Sequence, residues 1–224
     1  MKTFAAATLL LATLAEVAQG HYIFQYLTAN GVKGAKYQNV RTNTNYNSPV
    51  TDLKSNDLRC NVGASSNGGS TTTVSVAAGS TVTFTADVAV YHQGPVAFYL
   101  SKVQDANAAD GSGDWAKIKE IGPSFSGGQA KWDMSLTYSV QLPSCISAGE
   151  YLLRIEQLGI HNPGGEPQFY VGCAQLKVTG GGSGTLTPSV KIPGHVKSTD
   201  SGYTANIYNN FKSYTVPGPK VATC

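Results

Sequence analysis

Charge is what this 224-residue chain has least of: only 13% of its residues are Asp, Glu, Lys or Arg, and the formal net charge is +3. A protein that tracks phosphates clusters its lysines and arginines, so dilute charge argues against a nucleic-acid partner. The four cysteines, Cys60, Cys145, Cys173 and Cys224, form no Cys-x-x-Cys pair, which excludes a zinc ribbon and a redox dithiol. No Asn-x-Ser/Thr acceptor occurs with x other than proline, so N-glycans are not expected. The longest apolar run, Phe4 to Leu14, is too short to span a bilayer, which argues against a membrane partner. No stretch of sustained helical periodicity exists either. Hydrolase signatures are also missing. Gly122-Pro123-Ser124-Phe125-Ser126 fails the nucleophile-elbow pattern at its last position. Asp105 to Gly111 places its glycine one residue late for a calcium loop, with Ala116 where the closing glutamate belongs. Glu150, Glu156 and Glu166 are the acidic residues a glycosidase could use, but nothing singles them out.

What is present begins with a leader. Lys2, the apolar run, and the small residues Ala15, Ala18 and Gly20 read as a signal peptide over 1–20, cleaved ahead of His21. The chain then reads as secreted and extracellular, and the even cysteine count as two disulfides with three possible pairings. Removing the leader takes away Lys2 and Glu16 and leaves the net charge unchanged.

Residues 21–224 read as one domain. Strands are expected at 22–27, 72–76, 81–90, 96–103, 138–142, 150–156 and 168–178, with period-2 alternation in 81–90 and 96–103 and frequent turn residues along the chain. Asn30-Gly31 marks a turn, and residues 35–59 a long polar loop. Gly180 to Gly184 looks like a linker. The Pro-containing last 40 residues read as a tail wrapped on the domain and held by Cys224. Many short strands with frequent turns predict an all-β, antiparallel sandwich of the immunoglobulin or fibronectin kind.

Cleavage after Gly20 would leave His21 with an α-amine and a ring nitrogen on one residue, a ready chelate for a soft divalent metal. His92, in Val90-Tyr91-His92-Gln93-Gly94-Pro95, and His161, in Gly159-Ile160-His161-Asn162-Pro163, both sit at strand exits. His195 lies in the tail and reads as structural. An amine with two imidazoles suits copper, which prefers tetragonal nitrogen ligands. In a strand, Gln168 and Tyr170 share one side, while Phe169 and Val171 face the core.

Those motifs in that order, together with Tyr151 to Gln157 and Gln168-Phe169-Tyr170-Val171-Gly172-Cys173-Ala174-Gln175-Leu176, make residues 21–224 resemble the fungal lytic polysaccharide monooxygenases of auxiliary activity family 9, formerly glycoside hydrolase family 61. The resemblance implies one copper ion, cycling between Cu(II) and Cu(I), held by His21 and His92 with Tyr170 on the axial side. His161 and Gln168 would hydrogen-bond oxygen species near it. Long loops would form a flat face carrying sugar-binding tyrosines, with Tyr22, Tyr37, Tyr46, Tyr91 and Tyr203 as candidates. The family pattern implies disulfides Cys60–Cys173 and Cys145–Cys224. The implied reaction is oxidative cleavage of crystalline or amorphous cellulose with a small reductant or redox-partner enzyme and O2 or H2O2. Tyr91 before His92, and no long insertion before it, resemble members that oxidise C1. The expected protein is a monomer without an appended carbohydrate-binding module. A non-catalytic copper- or polysaccharide-binding sandwich is the alternative from another class, and a weak endoglucanase a third.

Overall fold

The computed structural model describes residues 21–127 and 129–224. The leader expected at 1–20 lies outside the described residues. Eleven strands run in chain order: β1 (Phe24–Ala29), β2 (Val32–Lys33), β3 (Val74–Ala77), β4 (Thr81–Ala86), β5 (Val96–Val103), β6 (Ala116–Ile121), β7 (Ser124–Ser126), β8 (Gln129–Lys131), β9 (Thr137–Gln141), β10 (Gly149–Gly159) and β11 (Gln168–Thr179). Two 3-10 turns, Asn56–Leu58 and Gly68–Ser70, are the helical elements among the described residues. No helix there is long and apolar enough to cross a membrane.

The strands form a sandwich. One sheet has the order β2-β1-β4-β9, the other β3-β11-β10-β5-β6, and β7 and β8 pair as a separate hairpin. Neighbours pair antiparallel, except that β3 runs parallel to β11 at the sheet edge.

A strand's alternate residues face opposite sides of its sheet. In the five-stranded sheet both sides are covered. Val96, Phe98 and Leu100 of β5, Tyr151, Leu153 and Ile155 of β10, and Ala174, Leu176 and Val178 of β11 face the first sheet. Ala97 and Tyr99, Leu152 and Leu158, and Phe169, Val171 and Cys173 face a second core under loop 50–64 and the tail. Loops at one end of β4, β5, β10 and β11 therefore meet a rigid, doubly buried platform.

The structure shifts some expected edges. The first strand starts at Phe24, and the strand expected to reach residue 90 ends at Ala86. There the chain turns aside, with Val88 exposed and Val90 buried. Strand β6 and the β7–β8 hairpin were not anticipated. Charges at Lys117, Lys119 and Glu120 hide the pattern of β6, although Lys117 is itself fully buried. Its ammonium pairs with Glu120 at 2.8 Å and donates to the Pro217 carbonyl at 2.8 Å.

The expected disulfides are present. Cys60–Cys173 ties the 56–64 loop to β11, and Cys145–Cys224 ties the last residue to the turn before β10. Gly181 is packed rather than a free hinge, because a Cβ there would lie 2.1 Å from the Ile146 carbonyl oxygen. The tail is extended and bonded, with Thr187 and Thr223 exchanging both backbone hydrogen bonds.

Candidate metal centre

Four segments converge at one end of the sandwich. His21 leads into β1, whose start is fixed by a reciprocal pair: the Asp87 amide donates to the Ile23 carbonyl, and the Ile23 amide to the Asp87 carboxylate. The Asn47 side-chain amide donates to the His21 carbonyl at 3.3 Å. His92 sits between β4 and β5, where Gly94 adopts φ +156°. A Cβ on Gly94 would lie 1.7 Å from the Leu158 carbonyl oxygen, so only glycine lets this loop press against β10. Amides of Leu158 and Ile160 donate to the carbonyls of Pro95 and Gln93, holding the loop there.

The result is a compact cluster of rings. The His21 and His92 centroids are 5.7 Å apart with planes at 67°. Tyr170 completes a near-equilateral triangle, 5.9 Å from His21 and 5.7 Å from His92. His161, just beyond β10, stacks on His92 at 3.9 Å and 6°. Its Nδ1 is buried without a hydrogen-bond partner. Burial, and next the charge of His21, lower the His161 pKa, which favours a neutral imidazole.

Tyr170 is 3% exposed. Its hydroxyl donates to Gln168 Oε1 at 2.8 Å. Burial, and next Tyr91, push its phenol far above the ordinary tyrosine range, so it remains protonated. The expected polar face shared by Gln168 and Tyr170 is thus corrected: Tyr170 is core, because β11 has packed residues on both faces. Tyr170 lies flat against the buried Tyr22, centroids 4.2 Å apart. The Tyr22 hydroxyl donates to Gln157 Oε1, and Gln157 Nε2 donates to the His92 carbonyl at 3.0 Å.

Among the described residues, no group of three or more His, Cys, Asp or Glu side chains could hold a metal. Two imidazoles set edge to face, centroids 5.7 Å apart, leave room for one ion between their nitrogens, given metal–nitrogen bonds of about 2 Å. Such a pair is incomplete alone, and His21 carries a second nitrogen on its own backbone. The donor set is nitrogenous, with a neutral phenol to one side, which suits copper over hard oxygen-seeking ions.

The candidate tyrosines divide. Tyr22 is 2% exposed and engaged with Gln157, so it supports the site from beneath and cannot lie on a sugar. Tyr91 is 40% and Tyr46 82% exposed. Tyr37 is half-buried, with its hydroxyl on Asn43 Oδ1 at 2.9 Å. Tyr203, partly buried on the tail itself, packs against Phe169 with ring centroids 6.3 Å apart. Sequence reasoning missed Tyr208. It is 64% exposed, and its hydroxyl lies 3.0 Å from the His161 carbonyl oxygen and 3.1 Å from Gln93 Oε1. An aromatic within the polar run Asn206 to Asn210 was the available signal; only the fold brings it to the histidines.

The acidic residues serve structure. Glu156 is buried, 2.5 Å from Arg154 and 2.9 Å from His195, which places His195 in the core as expected. Glu150 accepts from the Ala106 amide at 2.7 Å, and Glu166 is exposed.

The profile of Auxiliary Activity family 9 (formerly GH61) matches residues 21–215. The chain is 58% identical, over all of its length and 76% of the relative's, to AA9 family lytic polysaccharide monooxygenase E of Podospora anserina. It is 44% identical to AA9 family lytic polysaccharide monooxygenase H of Malbranchea cinnamomea, covering 99% of both chains. Among solved structures, HiLPMO9B superposes with a TM-score of 0.80 at 31% identity, covering 90% of this chain and 99% of that one. A cellulose-active polysaccharide monooxygenase from M. thermophila gives 0.77 at 28% identity, covering 91% of this chain and 100% of that one. The chain belongs to auxiliary activity family 9, the copper-dependent lytic polysaccharide monooxygenases.

Proposed function

We propose that this enzyme is a secreted monooxygenase that cleaves cellulose by oxidation at C1. The observation that carries this reading is the triangle of His21, His92 and Tyr170 with His161 stacked on its edge. Removal of residues 1–20 would turn the His21 nitrogen from an amide into a free amine, and His21 would then offer two nitrogens and His92 a third. Copper, when bound there, supplies one-electron redox chemistry and activates O2 or H2O2 toward a carbon–hydrogen bond.

The chain's own residues do the rest. Tyr170, held protonated and bonded to Gln168, covers one side and withholds a phenolate from the metal. On this reading His161 and Gln168 would hydrogen-bond a reduced oxygen species. Tyr91 and Tyr208 present exposed rings beside the histidines, where a sugar ring can lie, and Tyr46 and Tyr37 are further candidates on the same reading. With H2O2, one C–H bond and one peroxide give a C–OH group and one water. With O2, a reductant supplies two electrons and two protons besides. The hydroxylated C1 then expels the neighbouring sugar oxygen, leaving a lactone that hydrates to an aldonic acid.

Cellulose is favoured because a structural relative at 28% identity is cellulose-active, and because exposed tyrosines beside the histidines suit a neutral glucan. Tyr91 directly before His92 favours C1. A monomer completes the reading. The test is mass spectrometry of products from phosphoric-acid-swollen cellulose treated with the processed, copper-loaded enzyme, with and without ascorbate. Aldonic acids that need ascorbate support it. Gemdiol masses move the site of oxidation to C4, and native sugars formed without reductant overturn it.

A further inference from the structure

A groove of about 360 Å³ opens beside the ring cluster, between the β7–β8 hairpin and the tail loop 207–212. Gln93 and Tyr208 are among its lining residues. Gln93 directly follows His92, and the Tyr208 hydroxyl lies 3.0 Å from the His161 carbonyl oxygen, so the groove runs out from the candidate metal centre. Two aromatic rings line it: Trp132 and Phe211 lie nearly parallel at 19°, centroids 6.0 Å apart, and Tyr214, outside the groove, packs edge-on against Trp132 at 5.1 Å. Its rim carries Gln129, Asn210 and Lys212, all exposed. Two amides and one ammonium beside two aromatic rings, with no carboxylate among the lining residues, offer both donors and acceptors to hydroxyl groups and an apolar face to ring carbons.

We propose that this groove is a secondary glycosyl-binding subsite. It holds a neutral hexose unit of the same polysaccharide chain whose cleaved bond lies over His21 and His92. The inference rests on the polysaccharide reading and deepens it by assigning a direction in which the chain leaves the reacting bond. Its rim residues would hydrogen-bond sugar hydroxyls, and the Phe211 edge would contact ring C–H groups.

The protein carries its own reporter. It has two tryptophans. Trp115 is fully buried, with its indole nitrogen bonded to the Gly111 carbonyl, whereas Trp132, 6% exposed, lines the groove. Titration of the processed, copper-loaded enzyme with cellohexaose is expected to give a saturable change in tryptophan emission. The double variant Gln129→Ala/Lys212→Ala changes only exposed rim side chains. It is expected to weaken cellohexaose binding about tenfold, the loss of about two ordinary hydrogen bonds, with melting temperature and copper affinity unchanged. Oxidised cello-oligosaccharides formed by an enzyme whose emission does not respond, or equal cellohexaose affinity in wild type and double variant, would overturn the groove while leaving the function standing. Absence of oxidised products from every glucan strikes the function itself, and the groove assignment falls with it.

Discussion

The Tyr22 hydroxyl hydrogen-bonds Gln157 Oε1 in the interior, and the same Gln157 amide donates to the backbone carbonyl of His92. One buried side chain thereby links the residue after His21 to the loop that carries His92. Gln157 is fully buried, so replacing it with leucine leaves a phenol and a carbonyl unpaired away from water. Each such orphan costs about 1–3 kcal/mol. Gln157→Leu is expected to lower unfolding free energy in urea by about 2–4 kcal/mol and to weaken copper binding by calorimetry. Tyr22→Phe, which leaves only Oε1 without its donor, is expected to cost about half as much.

Glu156 supplies the pH dependence. Burial alone would raise its pKa, but the Arg154 guanidinium and His195 outweigh it and hold the carboxyl at about 2. Its folded pKa therefore lies below the unfolded value of about 4.3, and the stability it contributes is present above that value. That contribution is lost as pH falls from about 4.5 toward 2, and is worth roughly 3 kcal/mol at about 1.4 kcal/mol per pH unit. Urea unfolding across pH 2–6 should show the fall. In Glu156→Gln the slope in this window should flatten, and the midpoint should drop throughout because Arg154 stays buried without its counter-charge.

Much of this was readable from residues, and the gaps have physical causes. The three long central strands show as apolar runs because they are buried on both faces, yet that double burial is what a period-2 reading of Gln168 to Val171 misjudged. A single sequence says which residues alternate, not that the tail covers the second side. The histidines were identifiable because only four occur and each has a distinct local context. The support under them was not, since Tyr22 and Gln157 meet across 135 residues. Tyr208 escaped for the same reason: it reaches His161 only after the tail has wrapped the domain.

Tyr170 and His92 are expected to separate in copper titrations. Tyr170→Phe keeps the ring that stacks on Tyr22 at 4.2 Å and loses the 2.8 Å bond to Gln168. It should weaken copper affinity by about tenfold, the lower edge of the range for groups adjacent to metal ligands. His92→Ala removes a proposed nitrogen ligand and should cost at least 100-fold by the same scale, roughly the top of that range or beyond. Equal losses in the two variants would show that the Tyr170 hydroxyl contributes as much to copper binding as the His92 imidazole, against the histidine-pair reading.

The two disulfides should differ in what they protect. Cys60–Cys173 lies in the core under the tail and fastens the strand that carries Tyr170. Cys145–Cys224 fastens only the end of the chain. Removing either costs about 2–5 kcal/mol by general experience with small secreted domains. The Cys60→Ser/Cys173→Ser variant is expected to lose copper affinity as well as stability. Cys145→Ser/Cys224→Ser should keep copper affinity, and limited proteolysis should cut it first between 185 and 224.

The amine of His21 gives the sharpest test of the metal assignment, because it can be abolished without altering a side chain. Placing one extra glycine ahead of His21 in the processed protein turns that nitrogen into an amide. Both imidazoles, the Tyr22–Gln157 link and the stack of His161 on His92 remain available. An amide nitrogen must lose a far less acidic proton than an ammonium, whose reference pKa is about 8, before it can bind a metal. The extended protein is therefore expected to keep its melting temperature without metal and to bind copper at least 100-fold more weakly at pH 7, on the scale of a lost ligand. Equal copper affinity with and without the added glycine would mean that the two imidazoles recruit their third donor elsewhere.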